Sequence, residues 1–314
     1  MDLALMIEGQ DGLNWDRWKR IAQTAEDLGF AGLYRSDHYT NPSPPELDSL
    51  ELWVSLTYLA THTKRIEFGP LVTPFSFRHP SITARTAAAV DDLSGGRLRL
   101  GLGAGWNRRE HEMFGLELLD VKGRMQRFAE GLEVVSKLLK SDKPFTFSGK
   151  FYQLNEAILL PRPKQPGGPP LVIGGNGRRR TLQLAAKYAN EWNGTSQTPA
   201  RFRDRTQRLD EYVAAEGRIP VEIRRTAMVG VAFGRNPREL QAKMGLYGRS
   251  RDQLLADGKL VGDGNQIAEQ LNALAEAGCQ RVMLQWLDQD DMDGLEALAK
   301  VVLPQFKPTT DKHR

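Results

Sequence analysis

Cysteine is almost missing from this 314-residue chain: the lone thiol, Cys279, excludes an intrachain disulfide framework and any zinc site built from several thiolates. Long apolar runs are missing too. No stretch approaches the ~18 apolar residues of a membrane span, and the opening MDLALMI has neither the basic flank nor the length of a signal sequence. A cytoplasmic protein with no membrane partner is expected. Charge of one sign is scarce, with 43 Lys plus Arg against 39 Asp plus Glu, a net charge of +4. The densest basic run, Arg178-Arg179-Arg180, opens a single helix and has no interleaved aromatics, so nucleic acid is not an expected partner. What is present is an ordinary globular composition, 40% apolar and 26% charged with 30 Gly and 17 Pro. That length admits two domains or one α/β barrel, and the apolar pattern has to decide.

The pattern is a strand and helix alternation. Leu3 to Ile7 reads as a short buried strand, and Trp15, Trp18, Ile21, Ala22, Ala25 and Leu28 recur at helical spacing behind Asn14, a capping residue. Gly29 ends that helix and Phe30 to Tyr34 is the next strand. Strands follow at 66–72, 98–102, 171–173, 190–192, 226–233 and 281–286. Helices are read near 50–60, 81–93, 110–114, 125–139, 178–188, 199–216, 237–258, 265–277 and 291–303. Residues 144–170 interrupt the rhythm with six prolines and the alternating PFTFSGKFYQL, read as a small hairpin and loop inserted before the fifth strand and sheltering one mouth of the fold. Eight units without a low-complexity linker predict one domain over 1–314, an α/β fold of the (β/α)₈ TIM-barrel type. The first strand to helix turn, EGQDGLN, lacks the G-x-G-x-x-G order of a dinucleotide-binding pair.

In such a barrel the chemistry sits just after the strand ends. Those positions hold Glu8, Asp37 and His38, Thr73, Asn107, the Gly174-Gly175-Asn176-Gly177 turn with Arg178, Trp192, Asn193 and Trp286. The glycine turn is placed to offer amide N–H groups to an anion at a helix start, or serves simply as a flexible turn. His38 is positioned to donate a hydrogen bond or exchange a proton, or is a satisfied structural histidine. Asn107 either holds a heterocycle edge or caps the helix after it. No tight ligand constellation accompanies His38, so no metal is expected.

Five segments in order, MIEGQDGLNWDRW, YRSDHY, FGPLVTPFSFRHP, LSGGRLRLGLGAGWNRREHEMFG and VIGGNGRRRTLQLAAKYANEWN, resemble the bacterial luciferase-like family of flavin and deazaflavin oxidoreductases. The resemblance implies a (β/α)₈ barrel and a redox ring lying over a non-prolyl cis peptide after strand three, matched here to the Pro70-Leu71 bond. It also implies His38 as the catalytic group. Asp37, Pro70, Leu71, Thr73 and Asn107 would lie about the ring, and Gly174, Gly175, Asn176, Gly177 and Arg178 about a phosphate. Where sugar-phosphate dehydrogenases of the family carry a glutamate, this chain has Trp106. The expected function is hydride transfer between deazaflavin F420 and a small organic substrate. The alternatives are an FMN-dependent monooxygenase using dioxygen and externally reduced flavin, and a non-catalytic barrel binding a phosphorylated metabolite. A homodimer and a separate flavin or F420 reductase are the partners the resemblance implies.

Overall fold

The structure, a computed structural model, describes residues 1–306; the last eight positions of the single-domain expectation, 307–314, lie outside the described residues. Barrel strands are β1 (Asp2–Ile7), β2 (Gly32–Arg35), β3 (Glu67–Pro70), β4 (Leu100–Gly103), β5 (Leu171–Gly174), β6 (Glu191–Thr195), β7 (Arg224–Phe233) and β8 (Arg281–Gln285). All neighbouring pairs are parallel. β3 resumes as the two-residue strand Thr73–Pro74, which pairs with β4. Lower down, Phe68 bridges Leu98 and closes the ring. The α/β barrel expected from the alternation is the observed fold. No helix among the described residues is long and apolar enough to cross a membrane.

The helices start and stop where local chemistry directs. Helix α1 (Trp15–Leu28) begins where Asn14 accepts the Arg17 N–H and ends at Gly29, whose φ of 91° suits a residue without Cβ. Helices α2 (Leu52–His62) and α3 (Pro80–Ser94) follow β2 and β3. The short α4 (Arg108–Met113) and the long α5 (Val121–Lys140) follow β4. Helices α6 (Arg180–Tyr188) and α7 (Pro199–Ala215) flank β6.

Two segments depart from expectation. The 237–258 region is two helices, α8 (Pro237–Gly245) and α9 (Arg251–Ala256), parted by a turn at Gly248 with φ 61°. A further short strand, Leu260–Gly262, then pairs with the upper half of β7, before α10 (Gly264–Glu276) and α11 (Met292–Val302). The 144–170 excursion does contain a hairpin, Phe145–Ser148 with Gln153–Ala157. No residue of it lines the central cavity, however, so it does not shelter the mouth of the barrel. Its proline-rich run descends instead to the far ends of two helices. There Arg162 donates to the Leu138 and Leu139 carbonyls, and Gln165 to Asp91.

Inside the barrel the strands count in twos. Along β1, Leu3, Leu5 and Ile7 face the helix layer, whereas Ala4 and Met6 belong to the interior cluster with Tyr34, Leu71, Val172 and Met283. The inward positions at the strand starts are charged. Arg281, 2% exposed, donates to Tyr34 Oη at 2.6 Å and to Glu67, and lies 3.4 Å from Asp2 and 3.7 Å from Glu191. Arg99 also bonds Glu67, and Arg224 bonds Asp2. Burial pushes the Glu67 carboxyl up, but Arg281 and Arg99 together hold it down at about 2. Its pairing therefore stabilises the fold fully above the ordinary value of 4.5 and loses that contribution as pH falls toward about 2.

Removing the central cation should be costly, because three carboxylates would stay buried without it. Arg281→Met is expected to cost about 3–5 kcal/mol in chemical denaturation at neutral pH. A loss below about 1 kcal/mol would mean that the layer is not held by this residue.

Candidate functional site

At the opposite end, the C-terminal ends of the strands surround a cavity of about 740 Å³, within the usual range of ligand pockets. Its floor is apolar: Met6 from β1, Leu71 and Val72 from the break in β3, and Met228 from β7. The non-prolyl cis peptide lies at Leu71-Val72, one bond later than the Pro70-Leu71 position expected from sequence. Val72 projects across the interior onto glycines of the next two strands. A Cβ on Gly174 would come within 2.9 Å of Val72 Cγ1, and one on Gly103 would collide with Val72 Cγ2. These glycines make room for a valine side chain that lifts the floor.

His38 stands on the cavity wall. Its Nδ1 lies 3.0 Å from both carboxylate oxygens of Glu110, which is 1% exposed and also accepts the Tyr39 N–H. Burial pushes the imidazole pKa down, but the hydrogen bond and charge of Glu110, aided by Glu8 and Asp37, raise it above the ordinary 6.5. Because Nδ1 is committed to Glu110, Nε2 is the nitrogen left for a ligand. Trp106, 58% exposed, stands edge-on to the imidazole at 5.5 Å and lines the same cavity.

Other sequence-selected residues serve the frame. Thr73 donates to Asp37 at 2.6 Å, and Arg78 pairs with the same carboxylate, so both Asp37 and Thr73 are buried in a brace between the ends of β2 and β3. Pro70 is buried beneath the cavity, its carbonyl packed on Gly101. Asn107 makes no side-chain cap; its Nδ2 donates to the Thr40 carbonyl at 3.1 Å, and it is 2% exposed. None of these four lines the cavity.

The glycine turn divides. Gly174 and Gly175 line the cavity together with Thr181 at the start of α6. Asn176 instead clamps β6, donating to the Thr195 carbonyl and accepting its N–H, each at 2.8 Å. Gly177 is exposed outside the cavity wall, and Arg178 is exposed in a pair with Asp204. Trp192 supports the turn from behind by donating to the Gly175 carbonyl, while Trp286 is buried away from the cavity.

Several wall residues were not singled out from sequence. Gln285 donates to Glu8 Oε1 at 2.6 Å and Gln10 to Glu8 Oε2 at 3.0 Å, fixing that carboxylate at the end of β1. Gln285 was findable by counting in twos along β8 from Arg281. Asp11 and Asn41 lie nearby; burial raises the Asp11 carboxyl, partly offset by its hydrogen bond with Asn41. Tyr247 and Lys259 reach in from the segment after β7, and no motif there marked them.

The luciferase-like monooxygenase family model matches residues 4–254. The chain is 30% identical over 181 residues to a 4-hydroxyprotoasukamycin monooxygenase of Streptomyces nodosus subsp. asukaensis, covering 57% of this chain and 47% of that one. It is also 30% identical over 181 residues to an F420-dependent hydroxymycolic acid dehydrogenase of Mycobacterium tuberculosis, covering 56% and 48%. The match thus spans about half the length of these relatives. Among solved structures, an F420-dependent secondary alcohol dehydrogenase bound to an F420-acetone adduct superposes with a TM-score of 0.84 over 98% of this chain and 99% of the other. At 19% identity that likeness concerns the fold. With most of its length matched in sequence and a barrel of the same architecture, the chain belongs to the luciferase-like monooxygenase family.

Proposed function

We propose that this protein is an F420-dependent oxidoreductase that transfers a hydride between the deazaflavin and a small organic carbonyl or alcohol. The observation that carries this reading is the His38–Glu110 pair on the wall of a cavity with an apolar floor. When bound, the deazaflavin supplies or accepts the hydride. The protein has to place a planar ring, exclude water and move one proton.

The residues fit those needs. Leu71, Val72 and Met228 form a surface on which a flat ring can rest, and Gly103 and Gly174 let Val72 reach that position. Gly175 and Thr181, beside the start of α6, are placed for a phosphate-bearing tail. In the reducing direction a C–H bond forms at the carbonyl carbon and the oxygen takes a proton from His38. Glu110 favours the charged form of that imidazole and fixes its plane. In the oxidising direction His38 accepts the proton from the alcohol.

A second reading, an FMN-dependent monooxygenase, rests on the similarity to the 4-hydroxyprotoasukamycin monooxygenase. A flavin ring fits the same floor, so affinity separates the two. Fluorescence titration is expected to give a Kd for F420 at least tenfold below that for FMN. The reverse order, with oxygen consumption coupled to reduced FMN, would replace the deazaflavin reading, and binding of neither would leave a barrel for some other phosphorylated metabolite.

His38→Ala should lower kcat roughly 10²-fold or more with cofactor affinity kept within about threefold. Unchanged turnover at limiting and saturating substrate would remove the proton-transfer role.

The raised His38 pKa also gives a signed pH effect. Carbonyl reduction should be fastest where the imidazole is protonated and fall at higher pH, with its midpoint above 6.5. Glu110→Gln keeps an oxygen for the Tyr39 N–H but removes the charge, so this limb should move to lower pH. A kcat/KM profile that does not move would place the titration elsewhere.

A further inference from the structure

The wall after β7 carries a cation that the hydride chemistry does not use. Lys243, in α8, is held by carboxylates on two sides: Asp288 at 2.7 Å and Asp291. Lys259 differs. Its Nζ lies 3.5 Å from Ser196 Oγ and 5.0 Å over the Tyr247 ring, and no carboxylate among the described residues lies within 4 Å of it. The side chain is half-buried and lines the cavity. Burial lowers its pKa from the ordinary lysine value, with Asp257 and Glu8 acting only from farther away.

The surroundings keep that ammonium clear. β7 places Gly230 beneath it, and a Cβ there would lie 3.0 Å from Lys259 Nζ, 2.9 Å from Tyr247 Oη and 3.1 Å from Gln285 Oε1. Three polar groups from separate elements therefore converge over a position without a side chain. Tyr247 spends its proton on the Val231 carbonyl at 3.3 Å, which holds the ring under the lysine. The cavity is divided electrostatically. Asp11 and Glu110 gather toward the His38 wall and Glu8 lies between, held by Gln10 and Gln285, whereas Lys259 stands with the neutral Ser196, Thr195 and Tyr247. An anion is repelled from the first side and held by the second.

We infer that Lys259, seated on Tyr247 and beside Ser196, is a substrate-recognition site for an anionic oxygen group, a carboxylate or phosphate, carried by the molecule that exchanges hydride. This inference deepens the oxidoreductase reading and rests on it for the word substrate. The same chemistry is offered by the phosphate of a flavin or deazaflavin tail, and the experiment must separate the two sources.

Benzoate, its neutral counterpart benzyl alcohol, and inorganic phosphate are titrated calorimetrically into the purified protein and into Lys259→Met and Lys259→Arg. FMN and phosphate-free riboflavin are titrated in parallel. Benzoate and phosphate are expected to bind the parent roughly tenfold or more tightly than Lys259→Met. Lys259→Arg should recover most of that difference, and benzyl alcohol should not discriminate. FMN and riboflavin affinities should change less than twofold. Equal anion binding by parent and Lys259→Met overturns the inference. Loss of FMN but not riboflavin affinity in Lys259→Met also overturns it, because the lysine then belongs to the cofactor tail. If Lys259→Met loses its cooperative melt, Lys259→Gln is held to the same comparison. Anion binding is measured without turnover, so failure of the oxidoreductase reading would show separately, in the cofactor titrations and kinetics.

Discussion

A parallel barrel has an interior that must be filled at one end so that it can be open at the other. Here the filled end depends on Arg281. Its guanidinium reaches β1, β2, β3 and β6 through Asp2, Tyr34, Glu67 and Glu191, and so ties half the strands to one buried charge. An ion cluster of this kind contributes little net stability compared with a well-packed apolar layer, because desolvation offsets most of the attraction. What it does impose is register. Shifting any of these strands by one residue would turn its carboxylate or hydroxyl into the helix layer and leave the cation facing apolar side chains. Above it, Ala4, Val172 and Met283 complete the seal, and the next inward positions are already the floor of the cavity.

That floor depends on a volume exchange. Val72 enters the interior where β3 breaks, and Gly103 and Gly174 each give up a side chain to receive it. Packing in cores tolerates little overlap, so the glycines and the valine are one unit: enlarging either glycine pushes against a side chain pinned between two strands. The glycines near the strand ends therefore answer mostly to packing inside the barrel. Gly101 accommodates the Pro70 carbonyl and Gly103 and Gly174 the Val72 methyls, whereas Gly175, with φ 132°, makes the turn toward α6.

The barrel was legible because eight amphipathic repeats carry the signal redundantly, and a misplaced boundary in one leaves the other seven intact. Asn14 and Gly29 could be assigned as cap and stop from local chemistry alone. His38 was legible by position, since it follows a short strand directly. Its partner was not, because Glu110 lies 72 residues away in α4, and only the fold brings the two together. Asp37, Thr73 and Asn107 carry groups able to contact a ligand, but the same groups satisfy one another or nearby carbonyls once packed. Nothing in side-chain type distinguishes those outcomes. The 237–258 segment misled for a different reason. Its apolar spacing is helical on both sides of Gly248, so the break and the added strand, with Lys259 just before it, are set by pairing with β7.

The two ends of the barrel use charge in opposite ways, and this separates structure from chemistry. At the closed end every carboxylate meets an arginine, and Glu67 is held ionised far below its ordinary range. A carboxylate held as Glu67 is carries no proton near neutrality. At the open end a carboxylate meets an imidazole, the one side chain whose ordinary pKa lies near neutrality, and shifts it upward without fixing it in one state. Exchanging the partner from guanidinium to imidazole turns a permanent tie into a titrating pair. The same carboxylate chemistry thus sets strand register at one end and poises a proton at the other. The apolar layer between them, Ala4, Met6, Tyr34 and Met283, keeps the two fields apart.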